Sequence, residues 1–164
     1  MIRIGVLSDT HLHGFNQGGA VIERLAQRYF RDARIILHAG DIVDPDVLLP
    51  LVDRRIYSVR GNLDPPRRGV PDRRIIEVGG FRIGLIHGWG TAEGLEEKVL
   101  GEFHAEDLDC LVFGHSHVPL CVRRDGLLLF NPGSPTDRRQ APFHSVGLLE
   151  LGATIEGRII NIDD

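Results

Sequence analysis

Hydrophobic residues in this chain come in short runs, and many of the runs stop at a polar residue capable of chemistry. Ile2, Ile4 and Val6 alternate and Leu7 adds burial on the other face, so residues 1–7 are expected as a strand. Val21, Ile22, Leu25, Ala26 and Tyr29 recur at helical spacing and predict a helix over about Gly19–Phe30. Ile35-Ile36-Leu37 is a second short strand, Pro45 opens a helix-like segment through Leu51, and Ile56-Tyr57-Ser58-Val59 is a third strand. That order predicts parallel strands joined by crossover helices. The rhythm then changes. After a proline-rich loop from Pro65 to Pro71, Arg74–Val78 and Phe81–Ile86 flank Gly79-Gly80, a hairpin signal. Leu95, Val99 and Phe103 share one face of a helix expected over Glu93–Phe103. Cys110–Phe113, Leu120–Arg124 and Leu127–Phe130 read as strands, the last two turning at Asp125-Gly126. Ser145–Leu151 and Thr154–Ile162 form a terminal pair around Gly152. The expected fold is α/β, with two packed sheets of parallel and antiparallel parts and helices outside.

Composition narrows the class. A length of 164 residues fits one domain over residues 1–164, long enough to bury about 70% of the unfolded surface without disulfides or metals as staples. With 42% apolar and 26% charged residues the chain reads as an ordinary globule. Lys and Arg number 19 against 23 Asp and Glu, a net charge of −4, which argues against an extended nucleic-acid surface and leaves room for a small positive pocket. No apolar stretch approaches the ~18 residues of a membrane span. The N-terminal run is broken by Arg3 and ends at Ser8-Asp9, unlike a signal peptide, so a cytoplasmic location is the default expectation. Cys110 and Cys121 are too few for a disulfide framework, and Cys110 sits in an apolar run where a buried, inert thiol is expected.

The candidate chemistry lies where strands end. Five apolar strands run out into Asp9-x-His11, Gly40-Asp41, Gly61-Asn62-x-Asp64, His87-Gly88 and Gly114-His115-Ser116-His117. Any one of these alone is ordinary turn chemistry. Five in succession, all at strand ends, are not explained that way. In α/β sheets ligand sites lie beyond the carboxyl ends of strands, so five such ends can converge on one rim. Asp, Asn and several His together form a mixed nitrogen and oxygen donor set suited to Mn²⁺, Fe, Co, Ni²⁺ or Zn²⁺ rather than Ca²⁺. The glycines allow sharp turns and close backbone approach to an ion or phosphate.

This ordered set resembles the calcineurin-like metallophosphoesterase superfamily, and the short length with Asn131-Pro132-Gly133-Ser134 resembles its small YfcE-type phosphodiesterase branch. The resemblance implies a four-layer αββα sandwich of two mixed sheets with a two-metal site at the strand C-terminal ends. It implies that Asp9, His11 and His117 hold one ion, that Asn62, His87 and His115 hold the other, and that Asp41 bridges both. Two ions about 3.5–4 Å apart can activate a shared water as hydroxide for in-line attack on phosphorus and clamp the phosphate oxygens. Mn²⁺ is the expected metal, with Ni²⁺, Zn²⁺ or Fe as alternatives. His38 is expected to orient rather than ligate, because in an extended strand it and Asp41 point to opposite faces. His104 and His144 read as surface histidines. Arg60 is open between a phosphate contact and an ion pair, and Trp89 between stacking on a substrate ring and packing. The Asn131–Ser134 segment is expected to shape the site.

One departure matters. Many members of the superfamily carry a His after the Asn that protonates the leaving oxygen, and here that position is Leu63. YfcE-type members also lack it. His13 is the candidate substitute acid, set against a plain solvated loop histidine, and Asp64 is expected to orient the loop. The function expected is a dinuclear metal-dependent phosphodiesterase acting on small or nucleotide-like substrates, with no membrane partner and with a homo-oligomer left open. The alternatives are a non-catalytic protein-interaction scaffold, as in the retromer's phosphoesterase-like subunit, or a phosphomonoesterase or pyrophosphatase on the same metal core.

Overall fold

Alternation along the strands sorts the apolar side chains into three cores, and the three cores define four layers. The computed structural model describes residues 1–164. In chain order the strands are β1 (Ile2–Leu7), β2 (Ile35–His38), β3 (Arg55–Ser58), β4 (Arg73–Val78), β5 (Phe81–Ile86), β6 (Cys110–Val112), β7 (Leu120–Arg124), β8 (Leu127–Asn131), β9 (Ser145–Leu151) and β10 (Ile155–Asn161). The helices are α1 (Ala20–Tyr29) and α2 (Leu95–Gly101), with a π-helical turn at Gly14–Gly19 and a 3₁₀ helix at Pro45–Leu51. The strands form two five-stranded sheets, ordered β10-β9-β1-β2-β3 and β4-β5-β6-β8-β7.

The first sheet is parallel across β1, β2 and β3, and the second across β5, β6 and β8; the remaining pairs are antiparallel. Ile4, Val6, Leu37 and Leu149 of the first sheet face Ile83, Leu85, Val112 and Phe130 of the second in the central core. The alternate positions then point outward, as the pleat requires. Leu7, Ile36 and Leu148 meet Ile22, Leu25 and Ala26 of α1, while Leu111 and Leu129 meet Leu95 and Val99 of α2. Each such buried aliphatic contributes about 1.5–3 kcal/mol. Gly157 of β10 lets the Phe130 ring seat across the sheet interface: a Cβ there would lie 2.7 Å from Phe130 Cδ2.

The turn at Gly14–Gly19 was not legible as helix, because it has no apolar period. Close packing explains it: a Cβ on Gly18 would meet Val47 Cγ1 of the 3₁₀ helix at 2.7 Å. The second helix is shorter than the Glu93–Phe103 expected, since Gly94 is left-handed at φ 69° and helix geometry begins only at Leu95. Phe103 still reaches the outer core from the turn that follows. Cys110 is fully buried with its thiol pushed up by burial, and neither cysteine is in a disulfide. No helix is long and apolar enough to cross a membrane.

Candidate metal centre

Because the two sheets pack face to face, the carboxyl ends of β1, β2 and β3 meet those of β5 and β6 along one edge. Asp9 and His11 follow β1, Asp41 follows β2, Asn62 follows β3, His87 follows β5, and His115 and His117 follow β6. All seven sequence-predicted donors come together. Asp41 Oδ2 lies 3.3 Å from His11 Nε2 and 3.4 Å from His87 Nε2, so this carboxylate stands between two groups of donors. On one side His117 Nε2 is 3.3 Å from Asp9 Oδ1, with His11 Nε2 at 3.9 Å. On the other, Asn62 Oδ1 is 3.0 Å from His87 Nε2 and 3.2 Å from His115 Nδ1. The imidazoles stand edge to face in two pairs, His11 with His117 and His87 with His115.

The orientation of the rings is fixed from behind. His87 Nδ1 donates to Ala39 O at 2.7 Å, His115 Nε2 donates to Gly90 O at 2.7 Å, and His117 Nδ1 donates to the Asp137 carbonyl. Each ring therefore turns its other nitrogen, a lone-pair donor when neutral, toward the centre. Three buried atoms there have no hydrogen-bond partner: Asp9 Oδ1, His11 Nε2 and His117 Nε2. A buried polar atom without a partner costs about 1–3 kcal/mol, and three converging on one point fit a cation. The nitrogen and oxygen donor set fits a divalent transition metal.

Backbone strain concentrates at the same place. Asp9, His11, Asp41, His115 and His117 all have left-handed φ between 45° and 69°, a conformation that costs a non-glycine residue about 1–2 kcal/mol. The surroundings hold it. The Asp64 carboxylate accepts from the backbone N–H groups of Asp41, Val43 and Gly61, each at 2.8 Å, and so clamps the β2 loop to the β3 loop; this is the orienting role expected of it. Ser134 Oγ donates to Asp9 O at 2.8 Å and Thr136 Oγ1 to Thr10 O at 2.6 Å. Asn131 Nδ2 donates to Gly114 O at 3.0 Å, so the Asn131–Ser134 segment shapes both the β1 and β6 loops. Two glycines are obligatory for the close packing: a Cβ on Gly61 would collide with Asp41 Oδ1, and one on Gly114 with Ser8 Oγ.

Other predicted residues fall outside the cluster. His38 is buried, accepts from Gly40 N on Nδ1 and donates from Nε2 to Thr10 Oγ1, so both nitrogens are engaged away from the centre. Burial pushes its pKa down to about 4, which keeps the ring neutral. His13 is exposed. His104 is exposed and bonds Gly101 O, while His144 pairs with Asp163 at 2.7 Å. Arg60 Nε is 2.8 Å from Asp72, the ion-pair alternative, yet both residues line a groove of about 410 Å³ beside Asn62 and His87. Trp89 is 44% exposed on the same groove, so it is not a packed core residue. Thr10, Thr136 and Asp137 were not foreseen. Thr10 bonds His38, Thr136 donates to Thr10 O, and the Asp137 carbonyl accepts from His117, all contacts between residues brought together by the fold, which leave no pattern in the chain.

Burial alone would raise the Asp9 and Asp41 pKa values, but His117 and His87 beside Asp9, and His11 and His87 beside Asp41, hold both carboxyls below the usual range. Burial lowers His87 and His117, and the adjoining carboxylates more than reverse it, so both imidazoles are raised. The sign follows. In the metal-free protein these pairs stabilise fully below the unfolded His pKa, and that contribution is lost as pH rises through the raised folded values. Cation binding requires neutral rings and strengthens over the same rise. Calorimetric titration of Zn²⁺ near pH 6.5, repeated in buffers of different ionisation enthalpy, is expected to count about two protons released per chain. A count of zero would mean that His87 and His117 are already neutral at this pH before the metal binds.

Residues 2–154 match the family model described as the calcineurin-like phosphoesterase superfamily domain, and the chain belongs to that superfamily. A probable metallophosphoesterase of Methanocaldococcus jannaschii is 34% identical over 167 residues, covering 98% of this chain and 82% of that protein. A conserved protein of Streptococcus pneumoniae described as a predicted phosphoesterase has a solved structure with a TM-score of 0.74 at 25% identity, covering 98% of this chain and 89% of the other. Vps29 of Entamoeba histolytica, solved in complex with Zn²⁺, has a TM-score of 0.66 at 22% identity over 98% and 99% of the two chains, a likeness of fold. The protein is thus a phosphoester hydrolase of the metallophosphoesterase family, with a candidate metal centre at the edge shared by its two sheets.

Proposed function

We propose that the protein is a dinuclear metal-dependent phosphodiesterase that hydrolyses small or nucleotide-like diesters in the cytoplasm, with Mn²⁺ as the working metal. The observation that supports this best is the pair of donor groups on either side of the Asp41 carboxylate, one of which, Asp9 with His11 and His117, holds three buried donor atoms without a partner. In this reading Asp9, His11 and His117 hold one ion, Asn62, His87 and His115 hold the other, and Asp41 is shared. Two divalent cations, when bound, supply Lewis acidity that activates water and neutralises charge developing on phosphate. The chain's own residues do the rest. The amide of Asn62 adds a donor without adding negative charge, which keeps the site attractive to a phosphate. The carbonyls of Ala39, Gly90 and Asp137 fix the imidazole tautomers. Asn62 is exposed and His115 half-buried, whereas Asp9 and His117 are buried, so a diester approaches from the Asn62 side.

Elemental analysis of protein purified without chelator and reloaded with Mn²⁺ is expected to give about two metals per chain. The same preparation is expected to hydrolyse aryl diesters and to lose that activity on chelation. A stoichiometry near zero after reloading would end the enzyme reading and favour a scaffold on the same fold.

A further inference from the structure

The groove beside Asn62 and His87 has features that a bare phosphodiester leaves unused. Its wall carries Trp89 between Gly88 and Gly90, left-handed at φ 101° and 76°. The segment just after Trp89 is tied at two successive carbonyls: His115 Nε2 donates to Gly90 O at 2.7 Å, and Lys98 Nζ to Thr91 O at 3.2 Å. The backbone that carries the indole is therefore anchored beside the His87 and His115 side of the centre. Arg60 and Arg73 line the same groove. Arg60 is held through Nε by Asp72 at 2.8 Å, which leaves its terminal nitrogens as donors. Arg73 donates to the carbonyl of Glu102 and lies over the Phe103 ring at 5.2 Å. Asp72 and Glu102 line the same space.

This combination selects among diester arms. An alkyl or acyl arm would meet one aromatic surface and four charged groups. A plain sugar phosphate would leave the exposed indole face without a partner. A nucleoside uses both: a flat base for the indole, with ring and exocyclic groups that donate to carboxylates and accept from guanidinium. The volume, about 410 Å³, is in the range of small-ligand sites. Resting on the phosphodiesterase reading above, we infer that this groove is a nucleoside subsite, in which Trp89 stacks on the base and Arg60, Arg73, Asp72 and Glu102 meet its polar edge and sugar, so that the substrates are nucleotide diesters.

Trp89 is the only tryptophan of the chain, so its fluorescence reports on the groove alone. Zn²⁺-loaded protein titrated with adenosine monophosphate is expected to show saturable quenching. Calorimetry is expected to give about tenfold tighter binding than ribose phosphate, in line with base stacking on an aromatic side chain. Equal affinity for the two, or binding without quenching, would overturn the proposal. A kinetic comparison uses two esters with the same leaving group, the p-nitrophenyl ester of thymidylate and methyl p-nitrophenyl phosphate. The thymidylate ester is expected to have a kcat/KM about tenfold higher, carried by KM. Trp89→Ala should bring that ratio close to one, and Trp89→Phe should keep most of it. A ratio unchanged in Trp89→Ala would sink the subsite. If neither ester is hydrolysed, the phosphodiesterase reading fails, while the preference for adenosine monophosphate over ribose phosphate still decides the groove.

Discussion

Asp41→Ala is expected to lower diesterase kcat/KM by on the order of 10³, beyond the ~10–100-fold typical of residues that only support a ligand. Asp41 Oδ2 is the one carboxylate oxygen within 3.4 Å of a donor in each half of the centre. Removing it takes a donor from both proposed ions and leaves two cations facing each other without the charge between them. His117→Ala or Asn62→Ala removes a contact from one half only, and excess Mn²⁺ is expected to restore part of their activity. The Asp41 side chain also accepts from Leu63 N at 2.8 Å through Oδ1, and its backbone is left-handed at φ 55°. Alanine is therefore strained there as well as ligand-deficient. Asp41→Asn separates the two effects, since Asn tolerates that conformation and can keep the Leu63 contact while losing the charge. Thermal unfolding of Asp41→Asn close to wild type, with activity still down by two orders of magnitude or more, is the expected pattern. Retention by Asp41→Ala of more activity than both single-half variants at saturating Mn²⁺ would show that the carboxylate is not shared.

Two packed sheets and a polar rim were legible in the sequence for one physical reason: strands with period-two apolar patterns must end, and their ends must be polar; the four-layer order and the division of the donors between two metals came only with the family resemblance. The strands after which Asp9, Asp41, Asn62, His87 and His115 stand were each readable from three or four apolar residues; parallel pairing brings the ends within each sheet to one edge, and the face-to-face packing of the two sheets joins the two edges. What was not readable depends on contacts without period. Asp64 was visible as a residue, but its three backbone acceptor contacts, which hold Asp41 and Val43 in left-handed geometry, arise only when the β2 and β3 loops meet. The groove is a second case. Arg60 and Trp89 stand next to site residues in the sequence, whereas Arg73 begins β4 and Glu102 follows α2. Nothing in the spacing of those two marks them as neighbours of a metal centre; the second sheet's antiparallel edge brings Arg73 there. The turn at Gly14–Gly19 was missed because glycine, the residue that permits its packing on Val47, is also the residue that erases a hydrophobic period.

Reaction rates on aryl diesters are expected to fall steeply as the leaving group becomes more basic, because the position where many superfamily members carry an acid is Leu63. Leu63 is 51% exposed at the mouth of the centre and has no proton to give, while its N–H is already committed to Asp41 Oδ1. The leaving oxygen then departs largely unprotonated, or takes its proton from water. General acid assistance is typically worth 10²–10⁴-fold, so the deficit should be small for nitrophenolate and large for an alkoxide. Leu63→His is expected to flatten the dependence and to raise rates on poor leaving groups, monoesters included, by about one to two orders of magnitude. The side chain at this position is exposed, so the substitution has little packing to disturb, and the backbone contact to Asp41 is retained. His13 supplies the competing account. It is exposed and lies two residues beyond His11; if its imidazole swings to the leaving oxygen, the wild-type slope will be shallow and His13→Ala will make it steep. A series of aryl diesters of graded leaving-group pKa, run on wild type, Leu63→His and His13→Ala, separates the two. A steep wild-type slope that His13→Ala leaves alone and Leu63→His relieves assigns the missing acid to position 63. A shallow slope indifferent to both substitutions would defeat both accounts and move the rate-limiting step away from leaving-group departure.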